Sequence, residues 1–224
     1  MTDRTLFITG ASTGIGAATA RAAVAGGWNV GLFARSEEKI AALADELGAR
    51  ALALPGDATD FAAQDRALAQ LAERFGGVDA AYANAGRGTS GKGTEDGDLD
   101  DWQGMIDLNI MALLKTVKAA LPHLKPRRGH ILLTGSAAGR RHIAGSVYGA
   151  TKWFVHGYAG NLSEEMREWG GRCTVIAPGM VDTPFFDEPK PDKLKPEDVA
   201  DAVMLALTAR GSADVREVYL MPRT

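Results

Sequence analysis

Cysteine is almost missing from this chain: among 224 residues only Cys173 is present. A lone cysteine excludes an intrachain disulfide framework and suits a reducing compartment. It lies in the apolar run 173–177, where a buried, inert thiol is expected rather than a nucleophile. An excess of one charge is missing as well, since 25 Lys and Arg face 28 Asp and Glu for a net charge of -3. Nothing global therefore draws the chain to nucleic acid or to an anionic membrane. The pairs Arg127-Arg128 and Arg140-Arg141 are short and read as solvated surface. No apolar stretch nears the roughly 18–20 residues of a membrane span, and the N-terminus shows no signal-peptide pattern, so a cytoplasmic protein is expected. His123, His130, His142 and His156 have no metal-ligand spacing with cysteines or carboxylates, and no metal site is expected.

What is present is an alternation. Short apolar runs at 5–9, 29–34, 51–55, 80–83, 130–134, 172–177 and 215–220 are separated by helical patterns near 15–25, 37–47, 60–75, 100–124, 146–169 and 196–209. Most of the short runs are apolar on both faces, as strands covered by helices on both sides must be. The pattern predicts one α/β domain over residues 1–224, a doubly wound Rossmann-type fold with a mostly parallel seven-stranded sheet. Residues 86–101, rich in Gly, Thr and Asp, and 185–196, rich in Pro and Lys, are expected to be flexible loops at the open end of a site.

The helices at 102–121 and 146–169 carry apolar residues on more than one face, including Trp102, Ile110, Met111, Trp153 and Phe154. One face can meet the sheet. The surplus predicts a homo-oligomer, a dimer or tetramer, built through these helices. Burial under loops of the same chain is the alternative.

Gly10, Gly14 and Gly16 fall where the first strand, ending Leu6-Phe7-Ile8-Thr9, turns into an alanine-rich helix. Glycine lets the backbone approach phosphate oxygens, and the helix start aims free N–H groups and a positive dipole end at the anion. Ser12 and Thr13 add hydroxyls, and Ile15 lies between the last two glycines. Strand two ends in Ala34-Arg35, where a dinucleotide fold that binds NAD(H) would place an acid on the ribose hydroxyls. The missing carboxylate and the forked cation of Arg35 favour a 2′-phosphate, hence NADP(H) over NAD(H).

Much later come Ser136, at the carboxyl end of a strand, and Tyr148 and Lys152, four residues apart on one helix face. Carbonyl reduction needs a proton donor beside the oxygen. A phenol with a reference pKa of about 10 becomes a better one when a neighbouring ammonium stabilises its anion. Ser136 can hold and polarise the substrate oxygen; its alternative role is a turn or cap serine. Asn109 is a polar residue in an apolar helix and must find partners.

The spacing Gly-x-x-x-Gly-x-Gly, with Ser136 and Tyr148-x-x-x-Lys152 following in order, resembles the short-chain dehydrogenase/reductase family over residues 9 to about 183. The resemblance implies a catalytic set of Asn109, Ser136, Tyr148 and Lys152, with Asn109 holding a water that links the lysine to solvent. A structural amide is the compatible alternative. It implies that Asp57, with Ala58 beside it, contacts adenine, although Asp57 also suits a helix cap. It implies that Asn84 and Gly86 lie near the adenosine ribose; Ala83 stands where the family often has a further Asn. It implies that Pro178, Gly179, Val181 and Thr183 meet the nicotinamide, with Thr183 bonding its carboxamide. Tyr148 and Lys152 would also touch the cofactor ribose.

The expected activity is transfer of a hydride between NADP(H) and a ketone, aldehyde or alcohol. The partner expected is a small molecule, with no nucleic acid and no membrane. A non-catalytic NADP(H)-binding sensor on the same fold is the alternative, though such proteins usually lose a catalytic member. Enoyl reductases of the family space Tyr and Lys more widely. Sugar-nucleotide epimerases need a longer C-terminal segment than this chain has. The substrate loop at 184–196 is short, and Phe185 suggests an apolar wall beside Ser136 and Tyr148. His142, between Ser136 and Tyr148, is a further candidate for the pocket border.

Overall fold

The computed structural model describes residues 4–88 and 93–223. Residues 89–92, inside the first expected loop, lie outside the described residues. Seven parallel strands form one sheet in the order β3-β2-β1-β4-β5-β6-β7. They are β1 (Thr5–Thr9), β2 (Asn29–Ala34), β3 (Ala51–Pro55), β4 (Ala80–Ala83), β5 (His130–Thr134), β6 (Arg172–Pro178) and β7 (Glu217–Leu220). The helices are α1 (Gly14–Ala25), α2 (Glu37–Leu47), α3 (Phe61–Phe75), α4 (Leu99–Ile106), α5 (Leu113–Leu124), α6 (Val147–Arg167) and α7 (Pro196–Thr208).

Side-chain alternation along the strands divides the core in two. Leu6 and Ile8 of β1 point to the face covered by α1, α2 and α7, and Phe7 points to the face covered by α3, α5 and α6. On β5, Ile131 and Leu133 go to the second face and Leu132 to the first. This is the two-residue period of a strand packed on both sides. The alanines of α1 give it a low profile, so it packs closely against both the sheet and α7.

The stretch read as one helix near 100–124 differs from that expectation. Residues Asp107–Ala112 form a π-helical turn between α4 and α5, and Asn109 sits inside it. A π turn survives where side chains hold the widened backbone. Here the Asn109 amide donates to the Arg87 carbonyl at 2.9 Å and to Thr151 Oγ1 at 3.2 Å, while its Oδ1 accepts from the Arg87 N–H at 2.9 Å. The loop leaving β4 is thereby clamped to the helix. The last strand is shorter than expected and begins at Glu217 rather than at 215.

Candidate active site

The loop from β1 to α1 lies at the carboxyl end of the sheet, against β2, where the Ala11 N–H donates to the Phe33 carbonyl at 3.3 Å. Gly10 and Gly14 have φ of 67° and 53°, the left-handed region that side chains resist. Gly16 is required for space: a Cβ there would lie 2.3 Å from the Gly10 carbonyl oxygen. Thr13 occupies the N-cap of α1 without making a side-chain cap, and the first turn holds no acid. The helix start thus keeps its N–H groups for an anion, with no carboxylate competing. Ser12 is half-buried beside it, and Thr13 is exposed.

Asn84 ties this loop to the sheet. Its amide donates to the Thr9 and Gly10 carbonyls at 3.0 and 3.3 Å, and its oxygen accepts from Thr134 Oγ1 at 3.2 Å. The carboxyl ends of β1, β4 and β5 are laced together by one side chain. Arg35 is exposed at the end of β2, and its charge helps to hold Asp57 below the usual carboxylate range. The larger causes are hydrogen bonds from the Thr59 N–H and hydroxyl, each 2.8 Å from Asp57 Oδ1. The helix cap is a different residue: Asp60 accepts from the Ala63 N–H at 3.2 Å and starts α3. Ala58 is buried, and its carbonyl accepts from Gln64 at 2.7 Å.

Across the cleft, the loop after β6 reaches back. The Thr183 side chain lies 3.1 Å from where a Gly14 Cβ would be, so this loop and the glycine turn touch. Gly179 lies under the C-terminal segment, with Pro222 2.8 Å and Met221 3.0 Å from the position of a Cβ. Val181 is buried and bridges to Leu194.

Between these walls lie Ser136, Tyr148 and Lys152. Ser146 caps α6 by accepting from the Gly149 N–H at 2.9 Å, which fixes the turn that carries Tyr148. Ser136 lies beside the Tyr148 hydroxyl, and its Oγ donates to the Pro178 carbonyl at 3.5 Å and accepts from the Ala138 N–H at 3.1 Å. The Ala138 bond fulfils the turn-serine role. Lys152 is buried with its Nζ donating to the Thr134 carbonyl at 2.8 Å, and it stands 5.7 Å from the centre of the Tyr148 ring. Gly86 shares this corner: a Cβ there would lie 3.2 Å from Asn109 Oδ1 and 3.8 Å from Lys152 Nζ.

The electrostatics differ from the expectation that the ammonium makes the phenol more acidic. Burial pushes the Tyr148 hydroxyl above its ordinary value, and the neighbouring Ser136 pulls it back only in part. Burial likewise pushes Lys152 down to about 8. In the protein alone, loss of water governs both groups.

Phe185 leans over Tyr148 with ring centres 5.7 Å apart, and its edge also reaches Gly88. His142 stacks on Trp153 at 5.4 Å, on the helix face beside the one that carries Tyr148 and Lys152. Sequence reasoning did not single out Thr134, whose carbonyl holds the lysine, or Thr151, which links Asn109 to the Tyr148 carbonyl. Their only signal was adjacency to Ser136 and Lys152.

A family model described as short chain dehydrogenase matches residues 4–194. An uncharacterized oxidoreductase of Staphylococcus epidermidis is 36% identical over 227 residues, covering 98% of this chain and 97% of the relative. The closed form of a serine dehydrogenase complexed with NADP+ superposes with a TM-score of 0.90 at 30% identity, covering 97% of this chain and 94% of that one. A 3-ketoacyl-(acyl-carrier-protein) reductase from Brucella melitensis complexed with NADH gives a TM-score of 0.88 at 25% identity, covering 96% of each chain. With the glycine turn, the laced strand ends and the Ser-Tyr-Lys corner in place, this chain belongs to the short-chain dehydrogenase family and is an oxidoreductase of that family.

Proposed function

We propose that the protein is an NADP(H)-dependent oxidoreductase that reduces a ketone or aldehyde, or oxidises the corresponding alcohol. The observation that carries this reading is the corner where Ser136 lies beside the Tyr148 hydroxyl with Lys152 5.7 Å from the Tyr148 ring centre. The uncapped start of α1 and the glycine turn suit a pyrophosphate, and Arg35 suits a 2′-phosphate. Bound there, the dinucleotide supplies the hydride.

The protein's own residues do the rest. Ser136 and Tyr148 hold the carbonyl oxygen and set the carbon in line with the cofactor. Tyr148 delivers the proton to that oxygen, or removes it in the reverse direction. Lys152 is buried beside the phenol and stabilises the charge left on it. Asn109 has its side chain committed to Arg87 and Thr151, so its share is to hold the β4 loop and α6 in register. Phe185 closes the cleft with an apolar surface, which suits an uncharged substrate.

A kinetic screen of ketones and aldehydes, run with NADPH and NADH side by side, tests the reading. Turnover with NADPH is the expected result, and no consumption of either nucleotide would leave only a binding role. Arg35→Ala should weaken NADPH binding by about 10–100-fold, the worth of a charge-assisted bond of about 1.5–3 kcal/mol. NADH binding should change little. Equal losses for both nucleotides would remove Arg35 from cofactor choice.

We also propose that α5 and α6 meet a second copy. Trp153 and Phe154 of α6 and Met111 of the preceding π turn are exposed, and a groove between α5 and α6 is lined by Val117, Leu121, Tyr158 and Trp169 together with Lys118, Lys125 and Glu165. Light scattering should give a multiple of the 23.6 kDa chain mass, and Leu121→Glu should lower it. A single-chain mass for the unaltered protein would refute the proposal.

A further inference from the structure

Tyr148, Lys152 and His156 occupy successive turns of one face of α6. The first two have roles in the proposed reaction, and the third has none so far. His156 is nonetheless nearly enclosed, with its side chain 10% exposed, directly beneath the turn that carries Ser136. Its Nε2 lies 3.4 Å from the Ser136 carbonyl oxygen. A carbonyl only accepts, so a bond here requires the Nε2–H tautomer.

The turn is shaped around the ring. A Cβ on Gly135 would lie 3.0 Å from His156 Nε2, and one on Gly139 would lie 2.6 Å from Cδ2. A Gly139 Cβ would also lie 2.7 Å from the Lys152 carbonyl oxygen. The two glycines that flank Ser136 let the backbone settle onto the imidazole and onto α6.

The far end of the same turn is tied to the edge strand. Arg140 grips Glu217 of β7 with its forked guanidinium, Nε lying 3.0 Å from Oε1 and a second nitrogen on Oε2. Glu217 Oε1 also faces His156 Nδ1 at 3.7 Å. The segment from Gly135 to Arg140 is therefore held from below by a ring and from the side by an ion pair, and Ser136 lies between them.

We propose that His156 is a positioning residue for Ser136, with the Arg140–Glu217 pair as its second anchor. The unit holds the Ser136 backbone so that the hydroxyl, which rests on the Pro178 carbonyl at 3.5 Å, stays beside Tyr148. This rests on the role given to Ser136 in the proposed reaction. A displacement of about 1 Å at an oxygen-binding hydroxyl costs up to about 100-fold in rate. The same hydroxyl touches neither the phosphate loop nor Arg35, so binding of the dinucleotide is spared.

The test compares His156→Leu, which fills the space without a donor, with His156→Gln, which keeps an N–H for the Ser136 carbonyl. His156→Leu should lower kcat by about 10–100-fold with the NADPH Kd unchanged, and His156→Gln should recover most of that loss. Glu217→Gln should give a smaller loss in the same parameter. Equal impairment by Leu and Gln would mean that the ring acts by volume, which overturns the proposal. Unchanged kcat in His156→Leu overturns it too.

Nitrogen-15 NMR of the unaltered protein gives a reading that needs neither turnover nor a stable variant. The His156 ring should appear as the Nε2–H tautomer. An Nδ1–H tautomer sinks the proposal even if both variants fail to fold. Should the unaltered enzyme reduce no carbonyl compound, the reaction assigned to Ser136 fails, and this NMR signature still decides whether the ring holds the turn.

Discussion

With Phe in place of Tyr148, turnover should fall by about 10²–10⁴-fold, the usual worth of a positioned general acid, while NADPH still binds within a few-fold of the unaltered protein. The substitution removes one oxygen and little else. The phenol is held neutral by burial at ordinary pH, so no charge is lost from the folded state. Ser136 keeps its bond from the Ala138 N–H at 3.1 Å and stays in place. The glycine turn and Arg35 belong to other elements and are untouched. Stopped-flow turnover and fluorescence titration with NADPH, run on the same sample, check both halves. Turnover within threefold of normal would falsify the proton-donor role of Tyr148. Loss of nucleotide binding along with turnover would make the residue structural.

Lys152→Met should separate activity from stability in opposite directions. The ammonium is buried, with a pKa of about 8 in place of 10.5. A base whose folded pKa lies below its unfolded one is penalised wherever it is charged in the fold. That penalty is present in full below about pH 8 and fades as pH rises from about 8 to about 10.5. At pH 7 it amounts to about 2–4 kcal/mol. Methionine fills similar volume with no charge. The variant should therefore melt higher than the unaltered protein at pH 7, with the gap narrowing by pH 10. Leaving the Thr134 carbonyl without its 2.8 Å partner returns part of the gain. Turnover should drop by about 10²-fold or more, because nothing then stabilises a phenolate. Thermal melts at pH 7, 9 and 10 without nucleotide are the measurement. A variant less stable at pH 7, or a gap that widens with pH, contradicts the penalty. An active site kept at a cost to the fold is a common bargain in enzymes.

The strands were legible in the sequence because they are buried on both faces. Runs such as Leu6-Phe7-Ile8 and Ile131-Leu132-Leu133 leave few other readings, and their alternation with helices fixes a parallel order. The glycine turn and the Tyr148–Lys152 spacing were legible because geometry dictates residue type at those points. Three things were hidden. The π turn at Asp107–Ala112 was hidden because apolar residues from Met105 to Leu114 lie on more than one face and mask the phase change that one extra residue brings. It is visible only once the Asn109 side chain is seen gripping Arg87. The split between Asp57 and Asp60 was hidden because both acids precede the helix, and only backbone geometry decides which one caps it. The balance of pKa shifts was hidden because spacing reports proximity and not loss of water. Tyr148 and Lys152 are neighbours as expected, yet desolvation governs both.

The strand order has a consequence for biosynthesis. Gly16 leans on Asn84, and the turn around Gly14 meets Thr183, so the glycine turn is completed by residues made far later. β1 gains its second neighbour only when β4 arrives, and β5 waits for β6. An N-terminal fragment on the ribosome carries the whole glycine motif without the later residues that pack against it. Such distant pairings make for slow folding, and the first written part of the enzyme is among the last to mature.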